Sequence, residues 1–365
     1  MDFAFTEEAD AIGELARQIL AGRSDHTALR VIEKSDGPRF DPSTWAEFAT
    51  AGLIGATIPE SFGGAGLDQV ALGRALVEVG RAGAALPLWE TAGLAAPALV
   101  RWASESLADE LSSMAAGQLV ATAAWQEPSS DPALLATTAG ESGGGWKVSG
   151  RKTCVPAGAI CGAVLVPATT SAGPALFWIA VGEGTTVIPL LTTSGGPDAD
   201  LEFVDAPATL VATGAESLAW AFEVGVAAQC ALALGHATAM LELTASYTKE
   251  RKQFDVPIAS FQAVGHRAAD CYIDVEAIRL TTWQALSRLD EGLDAHDEVS
   301  IAKYWVASAG HRLALAAAHL HGGVGVDRDY PLARHFTRMK ELELLHGGAT
   351  SHLLRIGAAL AGSPQ

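Results

Sequence analysis

Apolar residues recur at helical spacing in two blocks of the chain and break into short runs between them. In the first block, residues 1 to about 117, Asp41-Pro42 opens a helix whose apolar positions include Trp45, Phe48 and Leu53; proline fits a first helical turn. Asp68 caps the next helix, with Val70, Leu72, Leu76 and Val79 in register. Between them Ile58-Pro-Glu-Ser-Phe-Gly-Gly-Ala-Gly66 reads as a glycine-rich loop. From about 118 to 215 the runs Ala163-Val-Leu-Val166, Leu176-Phe-Trp-Ile179 and Thr186-Val-Ile188 have strand composition and length. Turn signals separate them at Gly143-Gly-Gly145, Ser149-Gly150, Ser171-Ala-Gly173 and Gly195-Gly-Pro197. This predicts a compact all-β unit, a small barrel or a sandwich.

From 216 to 365 the helical period returns. Val224, Ala227, Ala231, Leu234, Ala237, Leu241 and Ala245 predict a helix over 223–249, about 40 Å long at 1.5 Å per residue. Phe261, Val264, Ala268, Cys271, Val275, Ile278 and Leu286 mark a second. Ile301, Trp305, Ala309, Leu313, Ala316 and Leu320 mark a third, and a shorter pair follows Pro331 and Gly348. Long striped helices with short connections make an antiparallel bundle. The fold class is α+β, mainly α, ordered as an N-terminal helical domain (1–117), a middle β domain (118–215) and a C-terminal helical bundle (216–365).

Composition narrows the function. The chain has 365 residues, 49% hydrophobic and 18% charged, and carries 24 basic against 42 acidic side chains for a net −18. A chain this long fits two or three structural units. No Lys/Arg run exists, which excludes nucleic acid and anionic membrane as expected partners. The most apolar stretch, Val224 to Leu241, is interrupted by Gln229 and His236, so no membrane span is expected. The N-terminal MDFAFTEEAD lacks a basic n-region and an apolar h-region. Cys154, Cys161, Cys230 and Cys271 show no CxxC spacing and are expected to be buried thiols in a reducing cytoplasm, with no metal site.

Four stretches together, in this order and at these separations, resemble the acyl-CoA dehydrogenase family over nearly the whole chain. They are Trp45 with Gly52 to Gly66, Trp146-Lys-Val-Ser-Gly-Arg-Lys152, Tyr247-Thr-Lys-Glu-Arg-Lys-Gln-Phe-Asp-Val-Pro-Ile258 with Phe261-Gln262, and His321-Gly-Gly-Val-Gly-Val-Asp-Arg-Asp-Tyr-Pro-Leu332. The resemblance implies a middle β-barrel, a C-terminal four-helix bundle and a tetramer built through that bundle. It also implies FAD at a subunit interface, one chain holding the flavin ring and its neighbour gripping the pyrophosphate and adenosine. The implied reaction removes a proton and a hydride from Cα and Cβ of an acyl-CoA, giving the 2-enoyl-CoA.

The base that takes the Cα proton in that family is a glutamate at one of two positions. The commoner one falls here in Leu344-Leu-His-Gly-Gly-Ala-Thr-Ser351, on Gly347, or on His346 if the register slips by one. The alternative, 26 residues before Arg251 and anchored by Gly235, is Gly225. Of the nearby groups, Glu223 reads as a first-turn helix carboxylate and Glu341 and Glu343 as solvated; His346 is the remaining candidate base. The family's flavin-ring lining reads Trp125-Gln-Glu-Pro-Ser-Ser-Asp-Pro132 here, without glycines and with Asp131 added, and its ring-covering Trp-Ile-Thr reads Cys154-Val-Pro156. No catalytic residue is assigned.

The grip on a neighbour's FAD is kept. The resemblance assigns cofactor binding to Arg251, Gln253, Phe254, Gln262, His319, Gly322 and Gly323, with Phe261 in place of a usual histidine and His319 in place of a usual glutamine. The pattern resembles the non-catalytic subunit of actinobacterial α2β2 dehydrogenases of steroid side-chain breakdown. It implies a second subunit bearing the glutamate, a shared FAD, a bulky steroid-derived acyl-CoA and an electron-transferring flavoprotein as acceptor. Two other readings are open: a homomeric flavoenzyme of the same fold running a different reaction through His346, and a flavin-less scaffold or acyl-CoA binder.

Overall fold

A computed structural model describes residues 4–128 and 135–362. The chain forms two units. One comprises Met1–Val31, Gly73–Ala84 and Val226–Gln365, the other Ile32–Leu72 and Ala85–Gly225.

The second unit contains α3 (Pro42–Thr50), whose first turn is capped as the sequence predicts: Asp41 Oδ1 accepts from the backbone N–H of Ser43 and Thr44, each at 3.0 Å. Asp68 likewise caps α4 (Gln69–Ala82), accepting from Ala71 N at 2.8 Å. The β-structure is β1 (Ala121–Ala123), β2 (Thr138–Ser142), β3 (Gly145–Val155), β4 (Ala163–Thr170), β5 (Gly173–Ala180), β6 (Thr185–Pro189) and β7 (Ala199–Thr213). Pairing runs β4–β2–β3–β7–β5 and returns from β5 to β4, so these five strands close on themselves as a barrel; β1 adds to β4 and β6 to β7. The sandwich alternative is thereby excluded. The β2–β3 hairpin turns through Gly143 and Gly144, both at positive φ, the backbone that a two-residue hairpin demands. Val148, Val164, Val166, Phe177, Ile179, Leu201 and Phe203 fill the interior.

The first unit holds α1 (Glu7–Arg23), the later turns of α4 and most of α7 (Ala215–Glu250), then α8 (Gln262–Asp290), α9 (His296–His321), α10 (Leu332–Leu344) and α11 (Ala349–Gly362). α9 packs against α8, α10 and α11. α4 meets α7 backbone to backbone: a Cβ at Gly235 would lie 2.1 Å from Val77 O, and one at Gly80 2.1 Å from Leu232 O. By length and composition α7 is apolar enough to cross a membrane, yet 78% of its most apolar window is buried inside the protein; it is a core helix.

Three expectations are corrected. α7 begins at Ala215, well before 223, so Glu223 lies inside the helix, where it is buried, rather than in a first turn. The start is set by Gly214, at φ +92, a signal weaker than a side-chain cap. α8 buries its stripe only from Cys271 onward; its first turns, from Gln262 to Asp270, have no buried residue. Cys161, Cys230 and Cys271 are buried, with burial pushing their thiols up to about 12, 12 and 11, but Cys154 is exposed.

Candidate functional site

All seven residues assigned to cofactor binding lie on the first unit. Arg251 follows the last turn of α7, its N–H donating to Tyr247 O at 2.8 Å. The chain then reverses in a hairpin of β8 (Lys252–Gln253) and β9 (Val256–Pro257), closed by Ile258 N donating to Arg251 O. The turn residues Phe254 and Asp255 both have left-handed φ, 52° and 66°. This backbone is costly for an aromatic residue, and the Phe254 side chain is 89% exposed. Its ring lies 6.2 Å from that of Phe261, which brings Gln262, the first residue of α8, beside the hairpin.

At the far end of α9, His319 is exposed and Gly322 takes φ 64°, ψ −139°, a region essentially restricted to glycine. A Cβ at Gly322 or Gly323 would touch nothing within 4 Å, whereas one at Gly325 would strike Ala318 O at 2.4 Å. Gly325 is thus required by packing, and the Gly322–Gly323 backbone faces open space. Tyr247 stacks on His321 at 4.5 Å, so the end of α7 adjoins the glycine turn. The set offers a guanidinium, two amides, an imidazole, an aromatic face and bare backbone. That donor set fits the pyrophosphate and adenosine of a dinucleotide by charge and fork geometry.

The loop where a base would stand is built in the opposite way. Gln229 of α7 donates to Leu342 O (3.0 Å) and Leu345 O (3.3 Å), and Lys303 of α9 donates to Glu343 O (3.1 Å) and Gly347 O (2.8 Å). These side chains satisfy the last carbonyls of α10 and two in the loop after it, and the ammonium complements the helix's negative end. His346 Nδ1 donates to Gln229 Oε1 at 2.9 Å, and His352 Nε2 to His346 O at 3.1 Å. Gln229, Lys303, His346 and His352 are all buried. Burial, joined by the Lys303 charge and then His352, lowers His346 to about 3; burial and Lys303 lower His352 to about 4; burial lowers Lys303 to about 8. Gly347 sits at φ +100, where an L side chain is strained. Glu341 and Glu343, expected to be solvated, are mostly covered and ion-paired, Glu341 with Arg338 at 3.0 Å and Glu343 with Lys340, with His311 Nδ1 3.1 Å from the Glu343 carboxylate.

The second base position is closed sterically. Within its unit, a Cβ at Gly225 would lie 2.5 Å from Leu94 Cδ2, and Trp89 Nε1 donates to Gly225 O at 2.9 Å. Both side chains come from the π-helical segment Trp89–Ala95, which is buried throughout.

The residues aligned with the flavin-ring lining serve the barrel instead. Glu127 accepts from the fully buried Lys152 Nζ (2.6 Å) and from Ala136 N (2.6 Å) and Thr137 N (3.1 Å). Burial raises the Glu127 carboxyl, but the hydrogen bonds from Lys152, Thr137 and Ala136 outweigh it and hold it below the usual range; burial lowers Lys152 to about 8. Cys154 sits at φ +51 with its N–H donated to Asp200 Oδ1 at 3.0 Å. Trp125 packs edge-on against Phe222. The remainder of that stretch, Ser129 to Pro132 with Asp131, lies outside the described residues.

Sequence reasoning missed Lys303, Gln229 and His352. The available signal was a polar residue on an otherwise apolar helical stripe: Lys303 falls between Ile301 and Trp305, and Gln229 between Ala227 and Ala231.

Comparison with known proteins gives matches to the acyl-CoA dehydrogenase N-terminal domain over residues 6–118 and to the acyl-CoA dehydrogenase C-terminal domain over residues 212–361. Acyl-CoA dehydrogenase FadE27 of Mycobacterium tuberculosis is 38% identical, with the full length of both chains covered. Among solved structures, a chain of the ChsE4-ChsE5 complex from Mycobacterium tuberculosis superposes with a TM-score of 0.95 at 38% identity, covering 100% of both chains. A chain of the Tcur3481-Tcur3483 steroid ACAD gives 0.93 at 38% identity, covering 97% of this chain and 98% of that one.

Proposed function

The chain belongs to the acyl-CoA dehydrogenase family, and we propose that it is the glutamate-lacking subunit of a heteromeric acyl-CoA dehydrogenase, completing an FAD site shared with a partner that carries the base. The observation that carries this is the state of both base positions. Gly347 lies in a loop bonded shut by Lys303, Gln229 and His352, and Gly225 lies under Leu94. Neither holds a carboxylate, and neither has space prepared for one.

His346 supplies no substitute. A general base works best with a pKa near the operating pH, and burial holds this imidazole near 3 with its Nδ1–H committed to Gln229. This removes the motive for the homomeric reading. The grip, in contrast, has its donors outward. Arg251, Gln253, Phe254, Gln262 and His319, with the Gly322–Gly323 backbone, would hold the pyrophosphate and adenosine of a cofactor whose ring rests on the partner. When bound, FAD would take the hydride from the acyl Cβ. This chain's own part is to bind and orient it.

The relatives support the substrate class: one is a steroid ACAD, and another is a complex of two differently named chains. We therefore assign a steroid side-chain acyl-CoA as substrate, oxidised to the 2-enoyl-CoA, with an electron-transferring flavoprotein as acceptor. The test is expression alone and together with a glutamate-bearing family member. The lone chain should be colourless and inactive, and the pair yellow and active. Arg251→Ala in the pair should weaken FAD binding roughly tenfold to a hundredfold, the range for losing a charged hydrogen-bonding group. A yellow lone chain that oxidises acyl-CoA would overturn the reading, and unchanged FAD binding in Arg251→Ala would favour a pure scaffold.

A further inference from the structure

His321, which no part of the cofactor grip includes, joins its two halves. It is the last residue of α9 and only 2% exposed. Its Nδ1 donates to Ala317 O at 2.8 Å, one of the carbonyls left over at a helix C-terminus. That bond fixes the tautomer and the plane of the ring, leaving Nε2 as a bare lone pair. Nε2 is itself buried and meets no hydrogen-bond partner among the described residues. What the ring offers to other elements is therefore its faces. One stacks on Tyr247 at 4.5 Å and 27°, and the ring of Tyr330 lies 5.3 Å away at 60°.

These contacts have consequences for position. Tyr247 lies one turn before Arg251 and accepts its N–H. His321 immediately precedes Gly322, and Tyr330 lies just before α10. A single imidazole thus joins the end of α7, the end of α9 and the entry to α10. Around it the grip itself is exposed and has few internal ties: a Cβ at Gly322 or Gly323 would touch nothing. A cofactor spanning Arg251 and the glycine turn needs those two points held at one separation, because misplacement by an ångström forfeits hydrogen bonds.

We propose that His321 is a positioning residue of the cofactor grip: bonded to Ala317 and packed against Tyr247 and Tyr330, it sets the separation of Arg251 from the Gly322–Gly323 turn. Phenylalanine at this position would keep the stack but lose the bond that orients the ring; alanine would lose both. The inference rests on the shared-FAD reading, and its test separates the two.

The experiment titrates FAD into the deflavinated pair of subunits, following flavin absorbance, and measures KM for acyl-CoA on the reconstituted pair. His321→Ala should weaken FAD binding by tenfold or more with KM unchanged within twofold. His321→Phe should recover most of that loss. Tyr247→Leu, which removes the stack from the other helix, should weaken FAD comparably, and the double variant should be no worse than the poorer single one, the signature of one shared interaction. FAD affinity within twofold of wild type in both His321→Ala and Tyr247→Leu would overturn the proposal, as would full additivity. If His321→Ala fails to assemble, Tyr247→Leu and His321→Phe carry the test. Arg251→Ala is the control: loss there with none at His321 sinks only this inference, whereas no loss at either sinks the shared site itself.

Discussion

Two regions of the same helical unit, both tied to α7, are built on opposite principles. Around Arg251 the side chains point outward, Phe254 holds a costly left-handed backbone with its ring exposed, and the Gly322–Gly323 backbone faces open space. Around Gly347 the polar side chains that hold the loop turn inward: three helices send Gln229, Lys303 and His352 to bond the carbonyls of one short segment. The first region bears local cost and leaves its polar groups open. The second is complete in itself. Strain and open polar groups persist where a ligand rewards them, and a buried polar network persists where it is satisfied. The difference supports the proposed role, in which the first region serves a cofactor and the second holds no base.

The comparison breaks most readily at Lys303. Lys303→Met leaves the buried carbonyls of Glu343 and Gly347 unpaired, so unfolding in urea should show a loss of about 3 kcal/mol. A loss under about 1 kcal/mol would mean that the loop is not held as described. Next comes Gly225→Glu, which returns a carboxylate to a family base position against Leu94. Overpacking there should cost about 1–3 kcal/mol, and the lone variant should show no acyl-CoA oxidation.

Acid should weaken the inward region. His346 and His352 have folded values lowered to about 3 and 4, so the unfolded chain binds their protons first. Their contribution to stability is intact above about pH 6.5 and drains away as pH falls from there toward 4, at up to about 1.4 kcal/mol per pH unit for each. His352→Gln should flatten that part of the stability profile, and an unchanged slope would contradict the assignment. The smallest effect is expected at the outward region. Phe254→Gly relieves the left-handed turn and should raise the stability of the lone chain by up to about 1 kcal/mol, while weakening FAD binding in the pair.

The legible features were those whose chemistry is local. Asp41 and Asp68 announce helix starts because a carboxylate next to a fresh helix has one favourable use, and Gly143-Gly144 announces a hairpin because few residues tolerate its backbone. The start of α7 was not legible, since Gly214 replaces a capping side chain. The Phe254–Asp255 turn was invisible for the converse reason: Asp255 is an ordinary occupant of a left-handed turn position, but Phe254 is an aromatic residue where hairpins normally place Gly, Asn or Asp. Lys303 and Gln229 read as interruptions of apolar stripes because their acceptors are main-chain carbonyls, which leave no mark in a sequence. Glu127, aligned with the flavin-ring lining, belongs to Lys152, 25 residues away, a distance that no spacing rule reaches.

The most direct measurement is the flavin content of the purified pair of unlike subunits beside that of the lone chain, each with and without Arg251→Ala. The account predicts a colourless lone chain, one FAD for each pair of unlike subunits, and marked loss of that FAD when Arg251 of this chain is removed. Flavin held by the lone chain, or flavin in the pair indifferent to Arg251, would contradict it.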